Sequence, residues 1–200
     1  MNVFNNNDMR KEDKLQITKD KLINAAHDLM NSCVDPSEVT SRAIADRADV
    51  KLSMINYCFG SREALLFEAL KKDEEMYLQD TQIRKVFNSK IAPKEKIRRL
   101  HYLVADYLIN RFKFTKALTG YVLLNRDLQE GLNTLPLVRE HYKDTKEEWE
   151  IKLISYQLSS MMQLIIYRME DMSDFLEVDV RKEIRKIIDL QIDLLLEENP

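Results

Sequence analysis

Residues 40–66, reading TSRAIADRADVKLSMINYCFGSREALL, constrain this chain more than any other stretch, because they hold two short helices, a tight turn and a helix start in one segment. Val39 and Thr40 suit the two positions before a helix whose fourth residue is Ile44. The threonine hydroxyl caps the free amides and the valine staples onto the isoleucine. Ala43, Ile44, Ala45 and Ala48 give that helix a small apolar face, which lets it lie close against another helix. Asp49 is the turn residue, since aspartate visits positive φ at tolerable cost. Val50 then plugs the turn, and Ile55 and Phe59 bury the inner face of the second helix. Its outer face keeps Lys51, Leu52, Ser53, Asn56 and Tyr57, side chains suited to base edges and phosphates in a major groove. Gly60 and Ser61 stop this helix and cap the next, with Glu63 in the first turn where the macrodipole favours an anion. The segment reads as a helix-turn-helix.

Upstream, the polar head MNVFNNNDMRKEDK is followed by a helix with the apolar stripe Leu15, Leu22, Ala26, Leu29, Met30 and Cys33. The head reads as a frayed, solvated end, with a DNA-reaching arm carrying Arg10 or Lys14 as the other reading. Downstream, the helix begun at Ser61 continues through Leu70 and Met76 to about Lys85 and connects to the rest. Pro93 opens a helix through Leu100, Leu103, Tyr107 and Leu108; another runs from Thr115 to Leu128 and ends near Gly131; Pro136 starts a short piece. Two longer amphipathic helices close the chain, from about Glu147 to Met172 and from Asp179 to Glu198, separated by the turn-like DMSDFLEVD.

Composition agrees with a small helical protein. Two hundred residues suffice to build a core unaided, and 44% apolar with 32% charged residues, three glycines and four prolines favour an all-α chain over a sheet-rich one. The net charge of −3 supplies no global attraction for nucleic acid. DNA affinity must then come from local placement of Arg42, Arg47, Lys51 and Arg62, with Arg10, Lys11 and Lys14 in reserve. Cys33 and Cys58 lack CxxC spacing and read as buried free thiols. No apolar run approaches the roughly 20 residues of a membrane span, so the expected location is cytoplasmic. His101 and His141 have no partner at metal-ligand spacing and read as ordinary histidines, so neither a metal nor a cofactor is expected.

Helix 1 (KDKLINAAHDLMNSCV), TSRAIADRADV and INYCFGSREALL, in that order over roughly residues 15–70, resemble the TetR family of bacterial transcriptional regulators, whose DNA-binding domain ends much like IYYHFGSKEALL. The resemblance implies an all-α fold: an N-terminal three-helix helix-turn-helix domain over 15–62, preceded by a flexible arm over 1–14, and a helical effector-binding and dimerisation domain over 63–200. It departs from the family pattern at Asp49 for glycine, Lys51 for serine or threonine, Asn56 for tyrosine and Cys58 for histidine. Lys51 cannot cap, so either the recognition helix starts later with Ser53 capping, or the domain tolerates a loss of about 1 kcal/mol.

The implied function is a ligand-responsive repressor, not an enzyme, that binds a palindromic operator as a homodimer and is released by a small-molecule effector. Arg42 matches the position that faces a base; Ser41, Lys51, Ser53, Asn56, Tyr57 and Arg62 are assigned mainly to phosphates, with Leu52 or Met54 on a thymine methyl. The dimer is expected as a four-helix bundle of the last two helices, through Ile151, Ile154, Leu158, Met161 and Ile165 on one and Ile184, Ile187, Ile188, Gln191 and Leu195 on the other. The effector pocket is expected among Tyr102, Tyr107, Phe112, Tyr121, Trp149, Tyr156 and Met162, each of which also reads as a core residue. Two other classes fit the helical pattern. One is an all-helical small-molecule binder or enzyme without DNA binding, for which no catalytic arrangement is legible; the other is a helix-turn-helix that docks on protein.

Overall fold

The computed structural model describes residues 6–78, 81–128, 134–143 and 145–197. They form α-helices and one 3-10 turn, with no strand among the described residues. The chain divides into two compact units, the first ending at Tyr77 and the second beginning at Leu78.

The first unit holds α1 (Asn6–Ser32), a 3-10 turn (Pro36–Glu38), α2 (Ser41–Ala48), α3 (Ser53–Phe59) and α4 (Arg62–Leu78). The flexible arm expected over 1–14 is corrected from residue 6 onward, where α1 already begins; residues 1–5 lie outside the described residues. Neither proline nor glycine interrupts the chain before Pro36, and Gln16 donates to Asp20 at 2.8 Å one turn on, so nothing stops the helix short of Asn6. Leu22, Ala26 and Met30 of α1 are buried with Val39, Ile44, Ala45, Ala48 and Ile55, and α1 packs on both α2 and α3. Each fully buried Leu or Ile here contributes about 1.5–3 kcal/mol. The expected boundary after residue 62 moves to Tyr77 because α4 is tied into this unit: Arg62 donates to Val39 and Lys72 to Asn24.

The second unit holds α5 (Thr81–Phe87), α6 (Pro93–Asn110), α7 (Phe112–Asn125), α8 (Leu135–Tyr142), α9 (Glu148–Tyr167), α10 (Met169–Leu176) and α11 (Val180–Leu195). Central α6 packs on α5, α7, α8, α9 and α11. Opposite charges register α6 against α11: Arg98 reaches Asp189 at 2.5 Å and Asp193 at 2.8 Å, Lys94 reaches Asp193 at 3.0 Å, and Arg185 reaches Asp106 at 3.2 Å. Rising numbers on one helix meet falling numbers on the other, so the two run antiparallel. The C-terminal end of α8 is fastened by the Tyr142 hydroxyl, which donates to the Leu195 carbonyl at 3.0 Å, and by Arg139, which forks onto Glu148 at 2.6 and 3.1 Å.

Several expected boundaries shift. Of the connecting helix expected to reach Lys85, the described residues show α4 up to Leu78 and α5 from Thr81, residues 79–80 between them lying outside the described residues, as does the helix end expected near Gly131; α7 closes at Asn125. The helix expected to run to Met172 breaks at Arg168, and most of the expected turn is α10, which ends on Glu177 in the left-handed region at φ 55°. No proline or glycine marks that break; further on, Ser173 ties the end of α10 to α11 by donating to the Met169 carbonyl at 2.8 Å and accepting from the Val180 amide at 3.1 Å. No described helix is long and apolar enough to cross a membrane.

Candidate functional site

The turn between α2 and α3 is built by local chemistry. Thr40 accepts from the Ala43 amide at 3.1 Å, Asp49 closes α2 in the left-handed region at φ 53°, and Ser61 caps α4 by accepting from Ala64 at 3.0 Å. The Val50 amide returns to the Ala45 carbonyl at 3.1 Å, the six-to-one bond that terminates a helix through a left-handed residue. Ser53 is the first residue of α3 and does not cap it; Leu52 holds the cap position without a side-chain bond. Amides of Met54 and Ile55 turn back instead onto the carbonyls of Lys51 at 2.9 Å and Leu52 at 3.2 Å, the tight first turn that serves a helix lacking a side-chain cap.

This geometry sorts the candidate DNA contacts. On α3, Ser53, Asn56 and Tyr57 are exposed at helical spacings of three and four, and Lys51 and Leu52 are exposed just before them. Ile55 is buried beneath, while Met54 is half-buried. On α2, Arg42 is exposed and Ser41 half-buried. Among the described residues, Arg42 and Lys51 make no ion pair, so both charges remain available to an anion. Arg47 instead pairs with Asp28 of α1 at 3.1 Å.

Arg62 departs most from its expected role. Its Nε donates to the Val39 carbonyl and its Nη2 to the Pro36 carbonyl, each at 2.7 Å, while Nη1 meets Glu63 at 3.3 Å. A guanidinium spent on two backbone carbonyls holds the chain entering α2 and leaves little for phosphate. Cys33 and Cys58 are free but half-buried, contrary to the buried setting expected. Burial pushes the Cys58 thiol up, opposed by Lys19 of α1, so this residue of α3 favours its neutral form.

The residues expected around an effector do not form one group. Trp149 and Tyr156 stand exposed on the outer face of α9, with the Trp149 indole N–H donating to Glu147 at 2.8 Å. Tyr102 donates to Asp189, Tyr107 accepts from Arg111 at 2.9 Å, and the Phe112 ring lies under Lys116 and Arg181. Tyr121 is half-buried, and only Met162 is fully interior.

The expected dimer stripe also divides. Ile151, Leu158, Ile184 and Ile188 are buried in the protomer's own interior, and Ile154, Ile165, Ile187 and Leu195 are half-buried. Gln191 spends its amide on the carbonyls of Gln157 at 3.3 Å and Leu158 at 3.1 Å. Only Met161 of that set is exposed. The exposed apolar side chains of these helices are instead Trp149, Leu153, Tyr156, Met161 and Leu164 on α9 and Leu190 and Leu194 on α11. Period 3.6 locates a stripe but not the neighbour it covers, which is why the expected stripe lies largely inside the chain's own core.

Two polar residues interrupt apolar stripes at the α6–α9 seam. On α6, His101 is 3% exposed among Ile97, Leu100 and Ala105; on α9, Ser155 is 0% exposed among Ile151, Leu158, Met162 and Ile166. His101 Nδ1 donates to the Ile97 carbonyl at 2.8 Å and the ring lies against the Leu158 carbonyl, whereas Ser155 Oγ and Thr134 Oγ1 of the adjoining α8 end have no hydrogen-bond partner among the described residues. An orphaned buried polar atom costs about 1–3 kcal/mol. His101, read as an ordinary surface or satisfied histidine, is buried with its Nδ1 spent on the Ile97 carbonyl. The signal was present in the sequence as a histidine and a serine within otherwise apolar stripes.

Burial lowers the His101 pKa, against the raising effect of the Ile97 and Leu158 carbonyls. Above about pH 6.5 the imidazole is neutral folded and unfolded; below that, the unfolded chain takes up a proton that the buried ring refuses. Stability is therefore lost as the pH falls from about 6.5 toward the lowered folded value, by at most about 1.4 kcal/mol per pH unit. Urea midpoints at pH 7.5 and 5.5 test this: His101→Gln is expected to lose that part of the acid sensitivity, and an unchanged difference would count against it.

No family model matches the sequence, and no curated protein matches it.

Proposed function

We propose that this protein is a TetR-type transcriptional regulator that binds a palindromic operator as a homodimer and is released by a small-molecule effector. The observation that carries the reading is the α2–turn–α3 arrangement, with Asp49 in the left-handed region and an exposed face of Ser53, Asn56 and Tyr57 flanked by Arg42 and Lys51. A short recognition helix reads only a few base pairs, so two copies about one DNA turn (roughly 34–36 Å) apart are needed for useful specificity. The outer faces of α9 and α11 supply the dimer surface in this reading, through Leu153, Leu164, Leu190 and Leu194. The effector acts by binding the released arrangement better; a coupling of about 1–3 kcal/mol changes operator affinity by roughly 5- to 150-fold.

Electrophoretic mobility of the protein with DNA from upstream of its own gene tests the reading, and a complex that resists unrelated competitor DNA supports it. Arg42→Ala is expected to weaken that complex by about 1–3 kcal/mol and relax preference at one operator position, whereas Lys51→Ala weakens all sequences alike and lowers the salt slope by about one. Equal salt titrations for both variants and the parent would remove these assignments.

One observation favours protein docking as the second reading: the exposed face of α3 also carries Leu52 and Tyr57, in a chain of net charge −3. Binding lost entirely to unrelated DNA would move the balance to it.

A further inference from the structure

We infer that the corner between α10 and α11 docks the α3 face of a second copy of this chain, and that the contact keeps that face from DNA. The docking stands on the surfaces themselves; its competition with DNA rests on the regulator reading. At the corner, Phe175 is 79% exposed, with Leu176 and Val178 exposed beside it. On α10, Asp171, Asp174 and Phe175 stand about one helical turn apart, on the side away from buried Met169. Residues 169–180 carry five carboxylates and no cation. Three of these are answered within the protomer: Glu170 by Lys116, Asp171 by Arg168 at 3.2 Å and Asp179 by Lys182 at 3.0 Å. Asp174 and Glu177, on either side of Phe175 and Leu176 in the chain, are exposed and make no ion pair among the described residues.

Charge and polarity select the occupant. An exposed apolar group bordered by two unanswered carboxylates fits a surface that combines apolar side chains with unanswered cations. The α3 face is such a surface. Leu52 is exposed and Tyr57 is 69% exposed, and Arg42 and Lys51 make no ion pair among the described residues. A second copy brings this face at the protein's own concentration. The cations that would meet phosphates are the ones that meet Asp174 and Glu177, so the face cannot hold both partners. The contact joins two unlike surfaces and is therefore head-to-tail. With a few side chains on each side it is weak and reversible, and salt screens it.

Sedimentation velocity of the full chain at rising concentration tests the contact, in salt of about 0.01 M and about 1 M, where charges are felt over roughly 30 Å and 3 Å. In low salt the parent is expected to form species larger than a dimer, which fade in high salt. Asp174→Lys with Glu177→Lys is expected to weaken that association at least roughly 10-fold, and so is Arg42→Glu with Lys51→Glu. All four side chains are exposed, so both variants are expected to fold. An equal mixture of the two variants regains the large species, because each supplies the face that the other has lost. A symmetric dimer through α9 and α11 responds neither to these changes nor to mixing. Upstream DNA is expected to dissolve the parent's large species.

A parent without such species overturns the inference, and the corner passes to a different protein if a Leu/Lys amphipathic peptide binds there. Variants that keep the species, a mixture that fails to regain them, or species that persist on bound DNA overturn it as well. The mixing measurement uses no DNA. Charge-dependent association in a protein that fails to bind its upstream DNA would sink the regulator reading alone, and DNA binding without that association would sink this inference alone.

Discussion

Arg62→Ala is expected to destabilise the protein by about 3 kcal/mol and lower its unfolding midpoint by roughly 6–12 °C. The guanidinium makes two charge-assisted bonds of 2.7 Å to the carbonyls of Val39 and Pro36, each worth about 1.5–3 kcal/mol. The Pro36 carbonyl keeps a second donor in the Val39 amide at 3.2 Å, so the loss there is partial. Arg62→Lys distinguishes this clamp from a phosphate contact. A lysine ammonium cannot fork across two carbonyls, so the clamp stays broken, whereas a phosphate would accept either cation. Thermal unfolding followed by circular dichroism decides between them; a lysine variant as stable as the parent, with DNA binding retained, would return Arg62 to the DNA.

Leu190→Glu with Leu194→Glu is expected to convert a dimer into monomers, weakening association more than roughly 100-fold. Both leucines are exposed, at 62% and 71%, on the face of α11 opposite buried Ile184, Ile188 and Ile192, so the protomer folds without them. Burying a leucine stabilises by about 1.5–3 kcal/mol, and a two-fold interface counts each substitution twice. Glutamate adds the penalty of bringing like charges together in a desolvated surface. Sedimentation equilibrium on the parent and the double variant reads this directly. A parent that sediments as a monomer, or a variant that stays dimeric, would remove the outer faces of α9 and α11 from the interface. Ile184→Glu makes the contrast: it is expected to unfold the second unit, because that side chain is 5% exposed in the protomer's own interior.

What was legible in the sequence was local. Thr40 over Ala43, Asp49 in the left-handed region and Ser61 over Ala64 all act within four residues of themselves, so residue type and spacing suffice to read them. The outer face of α3 followed from the same logic, because Ile55 had to point inward. Of the two readings left open for the start of α3, capping by Ser53 does not hold: Lys51 and Leu52 close a tight first turn with backbone bonds, which no side-chain rule anticipates. The break at Arg168 was invisible for a related reason. No helix-breaking residue stands there; the Arg168 amide turns to the Leu164 and Ile166 carbonyls, a backbone change with no side-chain signal.

By itself, then, the chain's pattern of caps, turn residues and apolar periodicity determined an all-helical protein with two short helices joined by a tight turn near its start, since those signals are short-range and repeat with the helix period. Tertiary structure alone decided which face of each helix meets which neighbour. It turned Ile151, Leu158, Ile184 and Ile188 inward and left Leu153, Leu164, Leu190 and Leu194 outward. It also drew Arg62 onto carbonyls 23 and 26 residues away and buried His101 and Ser155 in the interior. Such pairings join residues far apart in sequence, and their energy depends on how helices close around one another, which period and composition do not encode.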